Sequence, residues 1–238
     1  MTTLEIVLAT IAYTIGSTLQ GVLGFGANMF AVPILALINP DFIPGPVLVV
    51  NPLMAGIFTW RERGEVNRHD LAWMITGRLP GVAVGVVALQ MVSGDQLGML
   101  FGVLLLLAVG LKASGIHAGR NHRTLMAAGS LSGFMGTTVG VGGPPIALLY
   151  HDVPGSVLRA TMSPYFMIGT TISVTALALT GQFDLGDLVV SAWLVPGVLA
   201  GVVVSHRLRG LLDGEWVAPA VYAFSSAAAI VLLIRSLA

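Results

Sequence analysis

Long apolar runs separated by short polar loops delimit eight segments along the chain, at 3–38, 44–60, 71–91, 97–116, 124–150, 160–180, 188–205 and 216–235. The runs are continuous, unlike the alternating stretches of about ten residues that build a membrane barrel, so they predict helices. Six have lengths near the roughly 17–25 residues that carry a helix across a bilayer. The other two, 3–38 and 124–150, are too long for one crossing at about 1.5 Å per residue, and both carry glycines in mid-course. Within the second, 136–152 reads GTTVGVGGPPIALLYHD. Gly and Pro disfavour an uninterrupted helix, so a break is predicted in each long segment.

Composition fixes the solvent. Of 238 residues, 55% are hydrophobic and 9% charged, with mean hydropathy +0.90; a soluble domain carries about 25% charged residues. The chain is read as an all-α polytopic membrane protein whose main surroundings are the lipid bilayer. A net charge of zero argues against a nucleic-acid partner. The chain has no cysteine, which removes disulfides, thiolate metal sites and cysteine nucleophiles. The N-terminal MTTLEIVLAT lacks a basic n-region, so no cleaved signal peptide is expected. His69, His117, His122, His151 and His206 flank apolar segments without forming a ligand cluster with carboxylates, and are read as solvated loop residues; neither metal nor cofactor is expected.

The two long segments match each other. GVLGFGANMFAVPILAL (21–37) lies over GFMGTTVGVGGPPIALL (133–149): Gly21, Gly24, Pro33, Ile34 and Leu37 fall on Gly133, Gly136, Pro145, Ile146 and Leu149, each 112 positions later. Asn51-Pro52 falls on Ser163-Pro164 at the same offset, and LPGVAVGVV (79–87) on VPGVLAGVV (195–203) at offset 116. Ordered blocks with matched prolines are the mark of an internal repeat. The chain divides into an N-terminal repeat over 1–116, a linker over 117–123 and a C-terminal repeat over 124–238.

Loop charges set the orientation. RERGEVNRHD (61–70), HAGRNHR (117–123) and HRLRG (206–210) are arginine-rich and read as cytoplasmic, whereas SGDQ (93–96) and GQFDLGD (181–187) hold acids and no bases and read as external. From 123 inside to 181 outside the chain has only segments 124–150 and 160–180. The signs agree only if 124–150 enters and returns as a broken hairpin. The same shape for 3–38 puts the N-terminus outside and makes the two repeats inverted, each a broken helical hairpin plus three transmembrane helices. Backbone freed at such a break must line a protein-walled cavity, because lipid cannot satisfy it. Pro144-Pro145 is expected to end one half-helix and to start the next, since Pro suits the first helical turn. Half-helix N-termini attract anions, and inverted hairpins meeting at the midplane are transporter architecture.

Two inverted halves opening with GVLGFGAN and GTTVGVGGPP resemble the TauE/SafE family of sulfite exporters over nearly the whole chain. The resemblance implies a secondary transporter, not an enzyme, in the inner (cytoplasmic) membrane of a bacterium. Its partner would be a small sulfur-containing anion such as sulfite or an organosulfonate. An anion channel or a uniporter for another small organic anion stays open, and a homodimer is one option for assembly. An intramembrane enzyme is disfavoured: there is no G-x-S-x-G, no H-E-x-x-H and no acid pair within a span.

Arg78 lies inside the segment 71–91, where its counterpart in the other half is the apolar Leu194. A basic residue at that depth is costly and usually functional, and a guanidinium suits an oxyanion; snorkelling to the surface is the alternative. Lys112 and Arg159, nearer segment ends, are read as snorkelling or topological. The substrate-binding set comprises Arg78, the hairpin glycines Gly24, Gly26, Gly136, Gly140 and Gly142, and the polar hairpin residues Gln20, Asn28, Thr137 and Thr138. For those four polar side chains, capping of the hairpin backbone is the alternative. Gly77, Gly81, Gly85, Gly197 and Gly201 have small-xxx-small spacing and are read as helix-packing residues. Trp60, Trp73 and Trp216 mark an interfacial belt.

Overall fold

The computed structural model describes residues 1–92, 94–114, 119–208 and 214–237, without the side chains of 94, 95, 97, 112, 113, 214–216, 218, 236 and 237. The repeat boundary at 116, His117, Arg209 and the Lys112 and Trp216 side chains therefore lie outside the described residues.

Those residues form ten α-helices: α1 (Thr3–Leu23), α2 (Ala27–Ile38), α3 (Gly45–Arg61), α4 (Arg68–Met91), α5 (Gly94–Ala113), α6 (His122–Val139), α7 (Gly143–Ala147), α8 (Gly155–Leu179), α9 (Leu185–Leu208) and α10 (Gly214–Leu237). Of these, α1, α4, α8 and α9 are long and apolar enough to cross a membrane. Side-chain caps define several starts. Thr2 and Glu5 form a reciprocal capping box on α1, Asn121 caps α6 and Asn67 caps α4, each satisfying first-turn N–H groups.

Both long segments fold as hairpins. α1 stops where Gly24 turns into the left-handed region at φ 85°, and Gly26, at φ 104°, opens α2. α6 stops at Gly140, φ 73°, and α7 begins three residues later. The first half-helix therefore ends on Gly140, not on Pro144-Pro145 as the sequence suggests. Left-handed backbone disfavours any Cβ, which explains glycine there. The prolines serve only the return limb: Pro144 sits in its first turn, where a missing N–H costs nothing. That limb is short, one α-turn followed by a 3-10 turn over Leu148–Tyr150. At its base Arg120 Nη2 lies 3.3 Å from Asp152 Oδ2, so both flanks of the second hairpin are at one end of the bundle.

Glycine seams join helices across the chain. α4 packs along α6, with Gly77 against the Met126 backbone, Gly81 against Ser130 and Gly85 against Phe134 and Thr137. α1 packs along α9, with Gly197 against the Thr10 carbonyl and Gly201 against Thr14. Thr10 and Thr18 hydroxyls also bond the Trp193 and Gly201 carbonyls, at 3.1 and 3.3 Å. Ascending numbers meet ascending numbers in both seams, so each pair is parallel. A β-carbon at Gly77, Gly81, Gly197 or Gly201 would collide with backbone, so glycine sets the close approach there.

Three further contacts fix the sense of the remaining helices. α3 runs antiparallel to α8, Gly56 facing Met167. The start of α4 meets α8 where Asn67 N donates to Thr161 Oγ1 at 3.0 Å. The end of α1 lies there too, with Gly24 against Arg159. The α1/α9 pair thus runs opposite to the α4/α6 pair. Arg61, Arg120 and Arg159 gather at this end of the bundle; Gly45, packed on Asp187, marks the other.

Candidate functional site

A cavity of about 30 Å³ lies between the two hairpin tips, lined by Gln20, Gly26–Met29, Asn51, Met54, Arg78, Gly136, Gly140–Gly143, Phe166 and Thr170. That is room for about two water molecules. Each hairpin tip is held by its own helix. Gln20 Oε1 accepts from Ala27 N at 3.3 Å while its Nε2 donates to Gly24 O at 3.2 Å. Ser132, 112 positions after Gln20, donates to Gly142 O. Asn28 then ties the tips together, its Nδ2 donating to Gly140 O at 2.6 Å and its Oδ1 accepting from Tyr13 OH at 3.2 Å. Asn28 and Gly140 are 112 positions apart, the offset at which the two glycine-rich sequence blocks match.

The tips leave donors over. Among the described residues no acceptor meets the backbone N–H of Asn28, Met29, Val141, Gly142 or Gly143, and all five residues line the cavity. Orphan N–H groups at the start of a helix carry its positive partial charge.

The full charge comes from α4. Arg78 is 0% exposed, so it does not snorkel. Its Nη1 donates to Ser132 Oγ at 3.4 Å and Tyr165 OH at 3.2 Å, and its Nη2 to Ser173 Oγ at 3.3 Å. Its guanidinium carbon sits 5.2 Å from the Tyr165 ring centre. Its Nε has no partner, and among the described residues no carboxylate pairs with it. Hydroxyl dipoles and an aromatic face lower the cost of the charge without cancelling it. An uncompensated buried ion costs several kcal/mol, a cost that an anion placed in the cavity would offset.

Small residues make the room. A Cβ on Gly136 would stand 2.9 Å from Arg78 Nη2, and one on Gly142 would meet Ser132 Oγ at 2.7 Å. Gly169, on α8, gives way to the guanidinium in the same manner, lying against its Nε and Cδ. The Gly-rich loop is thus shaped around an arginine from another helix.

The family model described as "Sulfite exporter TauE/SafE" matches residues 8–232. The chain belongs to the TauE/SafE family. It is accordingly a multi-pass membrane transporter and not an enzyme. It is similar to a protein of Cupriavidus necator named "Probable sulfite/organosulfonate exporter TauE", 25% identical over 203 residues, covering 81% of this chain and 79% of the relative. No solved structure matches it.

Among the residues that the hairpin reading and the charge pattern single out, Gln20, Gly26, Asn28, Arg78, Gly136, Gly140 and Gly142 line the cavity. Gly24, Thr137 and Thr138 do not. Gly24 packs on Arg159, the Thr137 hydroxyl bonds Ser173 Oγ at 2.9 Å, and Thr138 bonds back to Phe134 O at 2.8 Å. Gln20 and Asn28 spend most of their polar atoms on the hairpins. Asn51, Met54, Phe166 and Thr170 were missed, because they come from the unbroken helices α3 and α8. For Asn51 a signal existed: a polar side chain within an apolar segment, at a position matched in both halves.

Proposed function

We propose that this chain is a secondary transporter that exports small sulfur-containing anions, such as sulfite or organosulfonates, from a bacterial cell across its inner membrane. The anion binds between the two hairpin tips, and the protein works by alternating access around that site. One observation carries the reading: among the described residues Arg78 is buried without a carboxylate partner and lines a cavity rimmed by unpaired backbone N–H groups. The family match and the name of the Cupriavidus relative support the sulfur-anion class.

The repeats are 1–116 and 124–238, in inverted topology. The opposite sense of the α1/α9 and α4/α6 pairs supports this, as does the Asn28–Gly140 contact between equivalent positions. Under an inverted repeat α1 corresponds to α6 and α9 to α4, so one pair maps onto the other with its direction reversed. Gln20 and Ser132, each fastening its own tip, are the same device in both halves.

The test is a calorimetric screen of small anions on detergent-purified protein, followed by uptake into proteoliposomes. Saturable uptake of a bound sulfur anion, with counterflow exchange, is expected. Conductance that does not saturate, without counterflow, makes the protein a channel; binding confined to anions without sulfur overturns the substrate class.

A further inference from the structure

We infer that Phe166 sets the size of the anion: its ring is the wall of the site that yields, so the site takes a compact sulfur oxyanion such as sulfite or methanesulfonate and rejects alkanesulfonates with a longer tail. The inference rests on the anion-site reading above and narrows it by size.

The cavity is small for its proposed occupant. Its volume of about 30 Å³ is room for about two water molecules, and sulfite, a sulfur atom with its oxygens, is larger. A wall must therefore give way when the anion enters.

Most of the walls are held. Gln20 and Ser132 fasten each tip to its own helix, and Asn28 joins the two tips. Arg78 is bonded to Ser132, Tyr165 and Ser173. Two apolar side chains line the cavity from unbroken helices, Met54 on α3 and Phe166 on α8. They stand 112 positions apart, the offset at which Asn51-Pro52 falls on Ser163-Pro164. They differ in freedom. Met54 is 3% exposed; a methionine adapts its shape, but this one is enclosed. Phe166 is partly exposed, whereas every other described residue that lines the cavity is buried.

The Phe166 ring leans on Tyr165, with 5.5 Å between centroids, and Tyr165 is the partner of Arg78. A β-carbon on Gly143 would stand 3.6 Å from Phe166 Cζ, and the Gly143 N–H is one of the unpaired donors of the second tip. The ring thus reaches from Tyr165 to that tip and walls the cavity there. It carries no polar atom, so turning it to another rotamer breaks no hydrogen bond. A sulfonate head held by Arg78 and the tip N–H groups sets its substituent against this ring. A methyl group moves the ring a little. Each further methylene drives it farther from its packing, and overfilling a packed interior is destabilising.

The experiment is calorimetry at one pH on detergent-purified wild type, Phe166→Leu and Phe166→Ala. The probes are methanesulfonate, ethanesulfonate and propane-1-sulfonate, which share head and charge and differ only in the tail. Sulfite, the head without a tail, is titrated alongside. Wild type is expected to bind propane-1-sulfonate at least about tenfold more weakly than methanesulfonate. In Phe166→Ala the vacated space takes the tail, so the difference is expected to vanish while methanesulfonate binds within about threefold of its wild-type affinity. Phe166→Leu is expected to fall between, and carries the comparison if the alanine variant does not elute as a single sharp peak. Propane-1-sulfonate bound by wild type as tightly as methanesulfonate overturns the inference. So does discrimination that stays undiminished in both variants, which puts the size limit elsewhere in the lining. Wild type that binds neither sulfite nor any of the sulfonates overturns the sulfur-anion site itself, and this inference with it.

Discussion

Arg78 is the residue on which the proposed anion site depends. A hydrogen bond to a charged group contributes about 1.5–3 kcal/mol, so Arg78→Gln is expected to weaken binding of the transported anion roughly ten- to a hundredfold. Arg78→Lys keeps the charge but loses the planar fork of donors, and is expected to recover only part of the loss. Calorimetry on the three proteins checks this, with size-exclusion chromatography as the control for folding. Equal affinities remove Arg78 from the site. Arg78 was legible in the sequence because a charge in an apolar run has few uses. The threonines beside the hairpin glycines were misleading, for a reason of period. Gly136 and Gly140 are four apart and share a helix face, whereas Thr137 and Thr138 are turned away from it. Phe166 and Thr170 share a face of α8 in the same way, but an apolar residue next to a back-bonded threonine carries no sign of a cavity.

The two hairpins show how much an element can reveal of itself. Their existence was legible, since glycines and prolines recur at matched places within two overlong apolar segments. The manner of ending was not, because sequence does not tell which of several glycines takes the left-handed turn. At Gly140 that turn has a consequence. A side chain there incurs about 1–2 kcal/mol of backbone strain, and its Cβ would stand 3.0 Å from Val47 Cγ1 and 3.4 Å from Asn28 Nδ2. Gly140→Leu also places four carbons beside a cavity that holds about two waters. Transport in proteoliposomes is expected to be abolished while the protein still inserts and purifies; undiminished transport would take the tips out of the pathway. The tie between the hairpins is tested separately. Asn28→Ala leaves the buried Gly140 carbonyl without the 2.6 Å bond, a loss of about 1–3 kcal/mol. A lower Tm in detergent is the expected result, and an unchanged Tm means that the tips are held together by packing alone.

At the scale of the whole molecule, the proposed function depends on where the two tips meet, and that follows from how each long segment is threaded. An uninterrupted crossing by 124–150 would put residues 117–123 and 152–159 on opposite faces of the membrane. A hairpin puts them on one face. The positive-inside rule favours the second arrangement, because Arg120, Arg123 and Arg159 then share the cytoplasmic side. The 3.3 Å contact between Arg120 and Asp152 supports it independently, since it does not use loop charge as a statistical guide. The chain has no native cysteine, so single cysteines are unambiguous reporters. Asn121→Cys and Ser156→Cys are expected to react with a membrane-impermeant maleimide from the same side, only after the cytoplasmic face is opened. Gln182→Cys, in the acidic loop between α8 and α9, is expected to react in intact cells. Labelling of Asn121→Cys and Ser156→Cys from opposite sides would rule out a hairpin over 124–150, and with it the proposed inverted arrangement. Asn121→Cys and Ser156→Cys reacting in intact cells, with Gln182→Cys reacting only once the cytoplasmic face is opened, would keep the hairpin and reverse the protein in the membrane, giving the arginine-rich end to the outside.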